Sequence, residues 1–371
     1  MKNDISIPNW LNPEPWLDMV RMADETSVRR ALDAANLHEE ELAALVSPAA
    51  ANLIEDLAQR AQERTRTHFG RTIALYVPLY LSDYCSGGCT YCGFASDRRH
   101  ARRRLEPADM LREFEVIKAM GFDEILLLTG ERTSQADYAY VCDAVAEAAR
   151  HFAAVTVETF PMTDDEYRGL ADAGCVGVTL YQETYDPIQY APLHRWGPKR
   201  DYSNRLEAPA RVLGASIRFV GLGALLGISE PFFDMIALYR HARHLQHRFW
   251  QAGLTISFPR VCPQEGGFVP PYPVSDRQLA QFIFAFRIVM PDVPLTLSTR
   301  ESAAFRDGIA GVGISKMSIG SRTTVGGYET PNESPDGQFH VNDDRNVETF
   351  CAALKAKGLE TVFKNWDKLF R

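Results

Sequence analysis

The sequence has no long hydrophobic run and no excess of positive charge. None of its apolar stretches approaches the ~20 residues that a membrane-spanning helix requires. Residues 1–5 lack the basic-then-apolar order of a secretory signal. Lys and Arg number 40 against 48 Asp and Glu, and the net charge of −8 disfavours nucleic acid and anionic membranes as main partners. We therefore expect a cytoplasmic protein.

Cysteine is scarce and unevenly distributed. The chain has seven cysteines, an odd number in a compartment where disulfides are rare, so they do not suggest a disulfide framework. Three of them follow the spacing Cys-x3-Cys-x2-Cys at positions 85, 89 and 92. The other four are scattered singly and are expected to be small buried hydrophobic residues; they are Cys142, Cys175, Cys262 and Cys351.

The three clustered cysteines, Cys85, Cys89 and Cys92, form a candidate metal centre. A closed zinc site and a ferredoxin-type cluster each take four protein ligands, and no fourth cysteine is nearby in the sequence. Three thiolates on one glycine-containing loop suit a [4Fe–4S] cluster with one iron left open to a ligand that is not protein. Zinc completed by a distant His or Cys, and three incidental loop cysteines, are the alternatives.

The order of apolar segments predicts the fold class. Helical spacing occurs at 27–35, 39–45 and 52–69, after a start that Pro8, Pro13 and Pro15 interrupt. Eight short apolar or β-branched segments follow, most of them separated by helical patterns, at 72–81, 124–128, 154–159, 177–181, 216–221, 255–258, 295–298 and 315–319. This alternation predicts an α/β fold, a (β/α)8 TIM-type barrel with a helical N-terminal extension. An open doubly wound sheet is the alternative.

The same pattern predicts the domain organisation. Residues 1–70 are expected to form the N-terminal extension, residues 71–325 the barrel, and residues 326–371 a C-terminal segment packed on the barrel. Polar motifs fall at the end of each predicted strand, where a barrel of this type carries its active site. Those discussed below are the three cysteines, Thr129-Gly130-Glu131, Glu158, Gln182-Glu183-Thr184, Gly223, Arg300 and Ser321.

The cysteine motif carries a resemblance to a known family. Cys-x3-Cys-x2-Cys with an aromatic residue, Tyr91, before the last cysteine resembles the signature of radical S-adenosylmethionine (SAM) enzymes. The resemblance implies a [4Fe–4S] cluster on Cys85, Cys89 and Cys92 whose open iron binds the amino and carboxylate groups of SAM. One electron from such a cluster splits SAM to a 5′-deoxyadenosyl radical.

The resemblance also implies residues that contact SAM. Thr129-Gly130-Glu131 resembles the Gly-Gly-Glu motif that holds the SAM amino group, and its glycine permits a close backbone approach. Arg205 stands where related members use an arginine for the SAM carboxylate, an anion that suits its fork of donors. A simple βα turn and a surface arginine are the alternatives. The remaining candidates, for the ribose, the methionine amine or the adenine, are Glu158, Gln182, Glu183, Thr184 and Gly223.

Arg300 is the predicted anchor of the substrate. It follows a short segment that we expect to be buried, and a buried cation requires an anionic partner. That partner is either a substrate carboxylate or the adjacent Glu301. Ser318, Ser321 and Thr323 would add hydroxyl donors to the same anion.

Longer stretches narrow the resemblance to the members that cleave tyrosine. They include Tyr181-Gln-Glu-Thr-Tyr185 and Leu297-Ser-Thr-Arg-Glu-Ser302. The similarity implies a carbon–carbon lyase that breaks the Cα–Cβ bond of L-tyrosine to p-cresol and dehydroglycine, the latter used for the thiazole of thiamin. It also implies thiazole synthase and a flavodoxin- or ferredoxin-type electron donor as partners. A tryptophan-cleaving relative and a non-catalytic metal-binding assembly protein are the alternatives.

Overall fold

A closed barrel of eight parallel strands forms the centre of the molecule. The computed structural model describes residues 7–329 and 337–364. Strands β1 to β8 pair in chain order, and the barrel closes because β1 pairs with both β2 and β8. The strands are β1 (Thr72–Tyr80), β2 (Glu124–Leu128), β3 (Ala154–Glu158), β4 (Cys175–Thr179), β5 (Phe219–Gly223), β6 (Gly253–Ser257), β7 (Leu295–Leu297) and β8 (Lys316–Ser318). The predicted barrel is confirmed, and the open sheet is excluded.

Four helices precede the barrel, as the sequence predicts for an N-terminal extension. They are α1 (Glu14–Met22), α2 (Glu25–Asp33), α3 (Glu39–Val46) and α4 (Ile54–Phe69), with a short 3-10 helix at Pro48–Leu53. The expectation that prolines interrupt the start is wrong for α1, because Pro15 lies in its first turn, where a missing N–H costs no helical hydrogen bond.

Helices cover the outside of the barrel. They are α5 (Pro107–Ala119), α6 (Tyr138–His151), α7 (Asp164–Asp172), α8 (Pro187–Leu193), α9 (Tyr202–Gly214), α10 (Pro231–Arg248), α11 (Asp276–Val289) and α12 (Ala303–Ile309). Most begin at a polar residue whose side chain accepts a backbone N–H of the first turn, as Thr163 does for α7 and Ser275 for α11. The N-terminal helices α3 and α4 pack on α11, which fixes the extension to the barrel wall.

The C-terminal part adds a ninth strand that the sequence did not predict. After α13 (Val347–Ala356), strand β9 (Glu360–Val362) pairs in parallel with residues 72–74 of β1. This edge of β1 is available because β2 pairs only with residues 77–80. Residues 330–336 and 365–371 of the predicted C-terminal segment lie outside the described residues, and the domain boundaries stay a prediction.

The strands end on one side of the barrel, and the loops that follow them form its mouth. The sequence-predicted polar motifs therefore come from neighbouring loops. In the described part of the chain, no helix is long and apolar enough to cross a membrane.

Candidate active site at the barrel mouth

The cysteine loop follows β1, and the sulfur atom of Cys85 contacts the segment after β2. The amides of Gly87 and Glu131 each donate to Cys85 Sγ at 3.3 Å, and the amide of Phe94 donates to Cys92 Sγ at 3.4 Å. A Cβ placed on Gly87 would lie 3.5 Å from Cys85 Sγ and 3.8 Å from Cys89 Sγ. Because amide donors favour the charged form of an acceptor, this loop is suited to thiolate ligands.

The thiols of Cys85 and Cys89 are protonated at neutral pH unless they bind a metal ion. Burial, followed by the charge of Cys92, raises the pKa of Cys85 to about 11. Burial raises the pKa of Cys89 to about 12. Metal coordination removes the proton outright. Within the described residues, no group of three His, Cys, Asp or Glu side chains is arranged to hold a single metal ion. A [4Fe–4S] cluster does not require such a group, because its three cysteines bind three different irons. The donor set of the loop fits such a cluster.

Thr129 and Gly130 bring the end of β2 against the cysteine loop. A Cβ on Gly130 would lie 2.6 Å from both Cys85 Cβ and the carbonyl oxygen of Tyr84, so this contact requires glycine. The Thr129 hydroxyl lies 2.6 Å from that of Thr159. The Thr-Gly-Glu motif is therefore more than a simple turn, because its glycine sets the distance between two loops.

Two acidic and two basic side chains form a buried cluster beside the cysteines, which we call the charged quartet: Glu131, Glu183, Lys199 and Arg205. Arg205 donates from Nη1 to Glu131 Oε1 at 3.1 Å, and its Nη2 lies 3.8 Å from Glu183 Oε1. Lys199 donates to Glu183 Oε1 at 2.6 Å. Burial is the largest influence and lowers the pKa of Arg205, but Glu131, Tyr190 and Glu183 together outweigh it, so the net shift is upward. Arg205 is thus a buried, charged residue and not a surface arginine.

The quartet holds a polar atom that the protein itself does not satisfy. Glu131 Oε2 is buried and has no hydrogen-bond partner among the described residues. A buried charged oxygen left in this way costs free energy. Its position beside the cysteine loop fits a cationic ligand group such as the SAM amino group.

The turn after β4 has a strained backbone. Glu183 has a φ of 71°, which is rare for a residue with a side chain and is found mostly at functional sites. The neighbouring Gln182 donates to the carbonyl oxygen of Tyr202 at 3.4 Å, while its buried Oε1 has no partner in the described chain. Gln182 therefore has a buried acceptor oxygen without a partner, next to the strained Glu183.

The structure does not bring Thr184 to this mouth. Its side chain is fully buried, and its hydroxyl donates to Asp234 Oδ1 at 2.9 Å. The same oxygen accepts the amide of Tyr185 at 2.7 Å. Thr184 thus supports the turn from behind, where Asp234 holds two consecutive residues.

Tyr91 is fixed between the cysteine loop and α8. Its hydroxyl lies 2.7 Å from His194 Nε2, and Lys199 Nζ lies 5.7 Å from its ring centroid. Burial raises the pKa of Tyr91 and lowers that of His194 well below the ordinary value, so both rings are neutral. Tyr91 connects the loop to the charged quartet through Lys199.

A cavity opens at the centre of the mouth. Glu158 and Tyr181 line it, together with residues from the last two strands. Burial, followed by repulsion from Glu183, raises the pKa of Glu158 to about 7. A Cβ on Gly223 would lie 2.7 Å from Tyr181 Cδ1, so glycine at this position makes room for the Tyr181 ring.

Arg300 also lies on the wall of this cavity and has no ion pair within the described residues. Its Cζ is 3.4 Å from the ring centroid of Phe339, and its Nη1 donates to the carbonyl oxygen of Arg260 at 3.3 Å. The adjacent Glu301 pairs with Arg260 instead, accepting its Nε at 3.0 Å. The internal pair of Arg300 with Glu301 is therefore excluded, and the Arg300 fork is available to an anion.

The three predicted hydroxyls also line this cavity. Ser321 donates to Ser318 Oγ at 3.3 Å. Arg306 is fully buried and donates to the Ser318 carbonyl oxygen, which fixes the end of β8. Thr323 donates to the carbonyl oxygen of Phe339 at 2.9 Å, so it holds the C-terminal segment over the cavity.

Some residues of the mouth were missed at the level of sequence. Lys199 lies in a short 3-10 helix (Pro198–Arg200) after α8, and no motif marks it as a partner of Glu183. Gln338 accepts a hydrogen bond from the Tyr80 hydroxyl at 2.7 Å, and its amide nitrogen lies 3.9 Å from Cys92 Sγ. The sequence around Gln338 has neither a strand pattern nor a cysteine, so nothing in it predicts that Gln338 lies at the mouth.

Two family models match the chain and divide it within the barrel. Residues 79–242 match the Radical SAM superfamily, and residues 257–360 match the Biotin and Thiamin Synthesis associated domain. The first match contains the cysteine loop and the charged quartet. The second contains Arg300 and the hydroxyls around it.

The comparisons with individual proteins cover nearly the whole chain. It is 43% identical to 2-iminoacetate synthase of Escherichia coli (strain K12) over 341 residues, which is 92% of this chain and 90% of that protein. The Salmonella typhimurium 2-iminoacetate synthase is 42% identical with the same coverage. The crystal structure of HydG, a maturase of the [FeFe]-hydrogenase, superposes with a TM-score of 0.90 at 29% identity, covering 96% of this chain and 81% of that one. The chain therefore belongs to the 2-iminoacetate synthase family of radical SAM enzymes.

Proposed function

We propose that the protein is a radical SAM lyase that cleaves the Cα–Cβ bond of L-tyrosine, releasing 2-iminoacetate (dehydroglycine) and p-cresol. The observation that carries this proposal is the unpaired Arg300 on the wall of a cavity that Glu158 and Tyr181 also line. A cation free for a carboxylate thus lies at the same end of the barrel as the cysteine loop and the charged quartet, which are suited to SAM. Cys85, Cys89 and Cys92 would hold a [4Fe–4S] cluster, which together with SAM would supply the radical chemistry for hydrogen abstraction from the tyrosine amino group.

On the cofactor side, Cys85, Cys89 and Cys92 hold the cluster. Glu131 offers its unsatisfied Oε2 to the SAM amino group. The Nη2 of Arg205 lies 3.8 Å from Glu183, which is too far for a hydrogen bond. Its N–H groups are therefore free to donate to the SAM carboxylate.

The remaining contacts to SAM come from side-chain oxygen acceptors and from the protein backbone. Gln182 Oε1, Glu183 and Glu158 accept the ribose hydroxyls. Tyr91 closes the cluster loop, Thr129 and Gly130 contribute backbone contacts, and the backbone at Gly223 lies against the adenine. Thr184 acts through Asp234 by holding the turn that carries Gln182 and Glu183.

On the substrate side, the Arg300 fork holds the tyrosine carboxylate with two donors, and Ser318 and Ser321 add hydroxyls to the same anion. Fixing the carboxylate restricts where the amino group can lie relative to the cofactor residues at the mouth. Such positioning carries much of the rate, because a displacement of about 1 Å can cost ~100-fold. Phe339 stacks on Arg300 and shields this contact from water.

The product and the electron supply imply partners. Dehydroglycine is an imine that reacts with water, so its transfer to a thiazole synthase in thiamin biosynthesis is part of the proposal. The cluster needs a low-potential donor of the flavodoxin or ferredoxin type. A cytoplasmic location, where thiols stay reduced, agrees with the seven free cysteines.

Substrate competition and metal analysis test the proposal. Protein purified and reconstituted without oxygen is supplied with SAM, dithionite and either tyrosine or tryptophan. We expect p-cresol from tyrosine and no turnover of tryptophan, with iron and sulfide bound. Turnover of tryptophan alone would assign the protein to the tryptophan-cleaving relatives, and a single zinc without iron would favour the non-catalytic metal-binding alternative.

A further inference from the structure

A basic surface surrounds the cysteine loop in an otherwise acidic protein. We define it as the basic rim, residues 95–104 and 194–200. These stretches contain eight Arg or Lys residues and one acidic residue, Asp97, whereas the whole chain has 40 Arg and Lys against 48 Asp and Glu. Arg104 pairs with Glu106 and Lys199 with Glu183, both outside these stretches, and a local excess of positive charge remains.

Part of the basic rim is structural. Arg102 donates to the carbonyl oxygens of Asp83 at 2.6 Å and of Phe94 at 2.9 Å. Arg98 donates to the carbonyl oxygens of Thr90 at 3.0 Å and of Cys92 at 3.3 Å. These two arginines hold the cysteine loop, and their charge is used within the protein.

Three other arginines of the basic rim do not hold the cysteine loop. Arg99, Arg103 and Arg200 are exposed, and none of their side chains forms an ion pair with a described residue. Exposed like charges at this density repel one another unless a partner neutralises them. They are available to an acidic surface on another molecule.

An exposed aromatic ring lies at the middle of the basic rim and rests on the cluster loop. A Cβ on Gly88 would lie 2.4 Å from Trp196 Cδ2, so the indole lies directly on the backbone between Cys85 and Cys89. Its Nε1 donates to Ser96 Oγ at 2.8 Å, and the ring is 38% exposed. Trp196 therefore joins the surface to the segment that holds two of the three cysteines.

We propose that the basic rim, with Trp196 at its centre, is the docking surface for an acidic one-electron carrier protein. The carrier gives one electron to the cluster and is itself oxidised by one electron, and no bond or proton moves in this transfer. An apolar centre within a ring of one charge is the arrangement expected of a small, transient and electrostatically steered interface. The inference rests on the proposed function, since only a cluster at the three cysteines requires this electron.

The test reverses the free charges and measures binding first. In the triple variant R99E/R103E/R200E of the cluster-loaded protein, the Kd for an acidic flavodoxin, measured by biolayer interferometry, should rise at least ~10-fold, and its dependence on salt should flatten. The matched control R30E/R66E/R248E reverses three exposed arginines on the outer helices and should bind as the wild type does. R99Q/R103Q/R200Q should give an intermediate Kd, and melting curves confirm that the variants fold.

Activity with two reductants separates this inference from the proposed function. With reduced flavodoxin, the KM for flavodoxin in 5′-deoxyadenosine formation should rise ~10-fold in R99E/R103E/R200E, while the rate with dithionite stays at the wild-type value. Equal Kd and KM in the wild type and this variant would overturn the docking surface. Absence of 5′-deoxyadenosine with dithionite in the wild type would overturn the proposed function, and the flavodoxin Kd would still decide the docking surface.

Discussion

Arg205 Nη1 lies 3.1 Å from Glu131 Oε1, and this buried pair joins the first turn of α9 to the loop after β2, 74 positions apart in the chain. The pair leaves Glu131 Oε2 without a partner in the described residues, beside the cysteine loop. Removal of one member of a buried pair leaves the other charge uncompensated, which is strongly destabilising. SAM bound between these two side chains would complete the hydrogen bonds of both.

Glu131→Gln should weaken SAM binding and leave the cluster in place. The amide keeps the size of the side chain but loses the charge that attracts the SAM amino group. Charged hydrogen bonds contribute ~1.5–3 kcal/mol, so we expect roughly a 10- to 100-fold rise in the Kd of SAM. Equilibrium dialysis with cluster-loaded protein measures it. Glu147→Gln, on the outer face of α6, is the control, and an unchanged Kd in Glu131→Gln would remove this residue from the SAM site.

Arg300→Lys should impair tyrosine binding alone. Lysine keeps the charge but loses the planar fork that holds a carboxylate with two donors, so we expect the KM for tyrosine to rise ~10- to 100-fold. Cluster absorbance and SAM affinity should stay as in the wild type. The exposed Arg322→Lys is a control from the next strand end. A normal KM for tyrosine in Arg300→Lys would refute the anchoring role.

Gly130→Ala should release the cysteine loop from the end of β2. The new methyl group would lie 2.6 Å from Cys85 Cβ and from the Tyr84 carbonyl oxygen, and the loop must move. We expect the iron content after reconstitution to fall by at least about half. Gly308→Ala has no atom within 4 Å of the new methyl group and should be neutral or slightly stabilising. Full iron content in Gly130→Ala would contradict the close approach.

Asp234→Asn should reduce the pH dependence of stability. Burial raises the pKa of Asp234 to about 8, so between pH 4 and 8 the folded protein keeps a proton that the unfolded chain loses. Its contribution to stability is therefore present at low pH and is lost as pH rises to 8, by up to ~1.4 kcal/mol per pH unit. The amide does not titrate, so the melting temperature should fall less between pH 5 and 8 than in the wild type. Parallel curves for the two proteins would contradict the buried, protonated carboxyl.

The pattern of apolar residues predicts most of the fold. The elements that it misses depend on local contacts. All eight barrel strands overlap their predicted segments, because buried parallel strands read as short apolar runs. Strand β9 was missed, since residues 360–362 depend on the free edge of β1 and not on a pattern of their own. Helix α1 was missed because a proline in a first turn looks like a helix breaker.

The candidate site also has features that the sequence predicts and features that it does not. The cysteine spacing and the positions of Glu131 and Arg300 were readable from motifs at strand ends, and Arg205 was found only through the family resemblance. The pairings were not, because they are three-dimensional. Nothing in the sequence indicates that Glu301 selects Arg260 and leaves Arg300 free, or that Thr184 turns away to Asp234.

The most direct measurement is a product count under anaerobic conditions. Cluster-loaded protein with SAM, dithionite and tyrosine should release p-cresol and 5′-deoxyadenosine in equal amounts, and Cys89→Ala should lose both products along with the cluster absorbance. Formation of 5′-deoxyadenosine with no p-cresol would contradict tyrosine as the substrate. Undiminished turnover in Cys89→Ala would contradict the cluster on which the whole account depends.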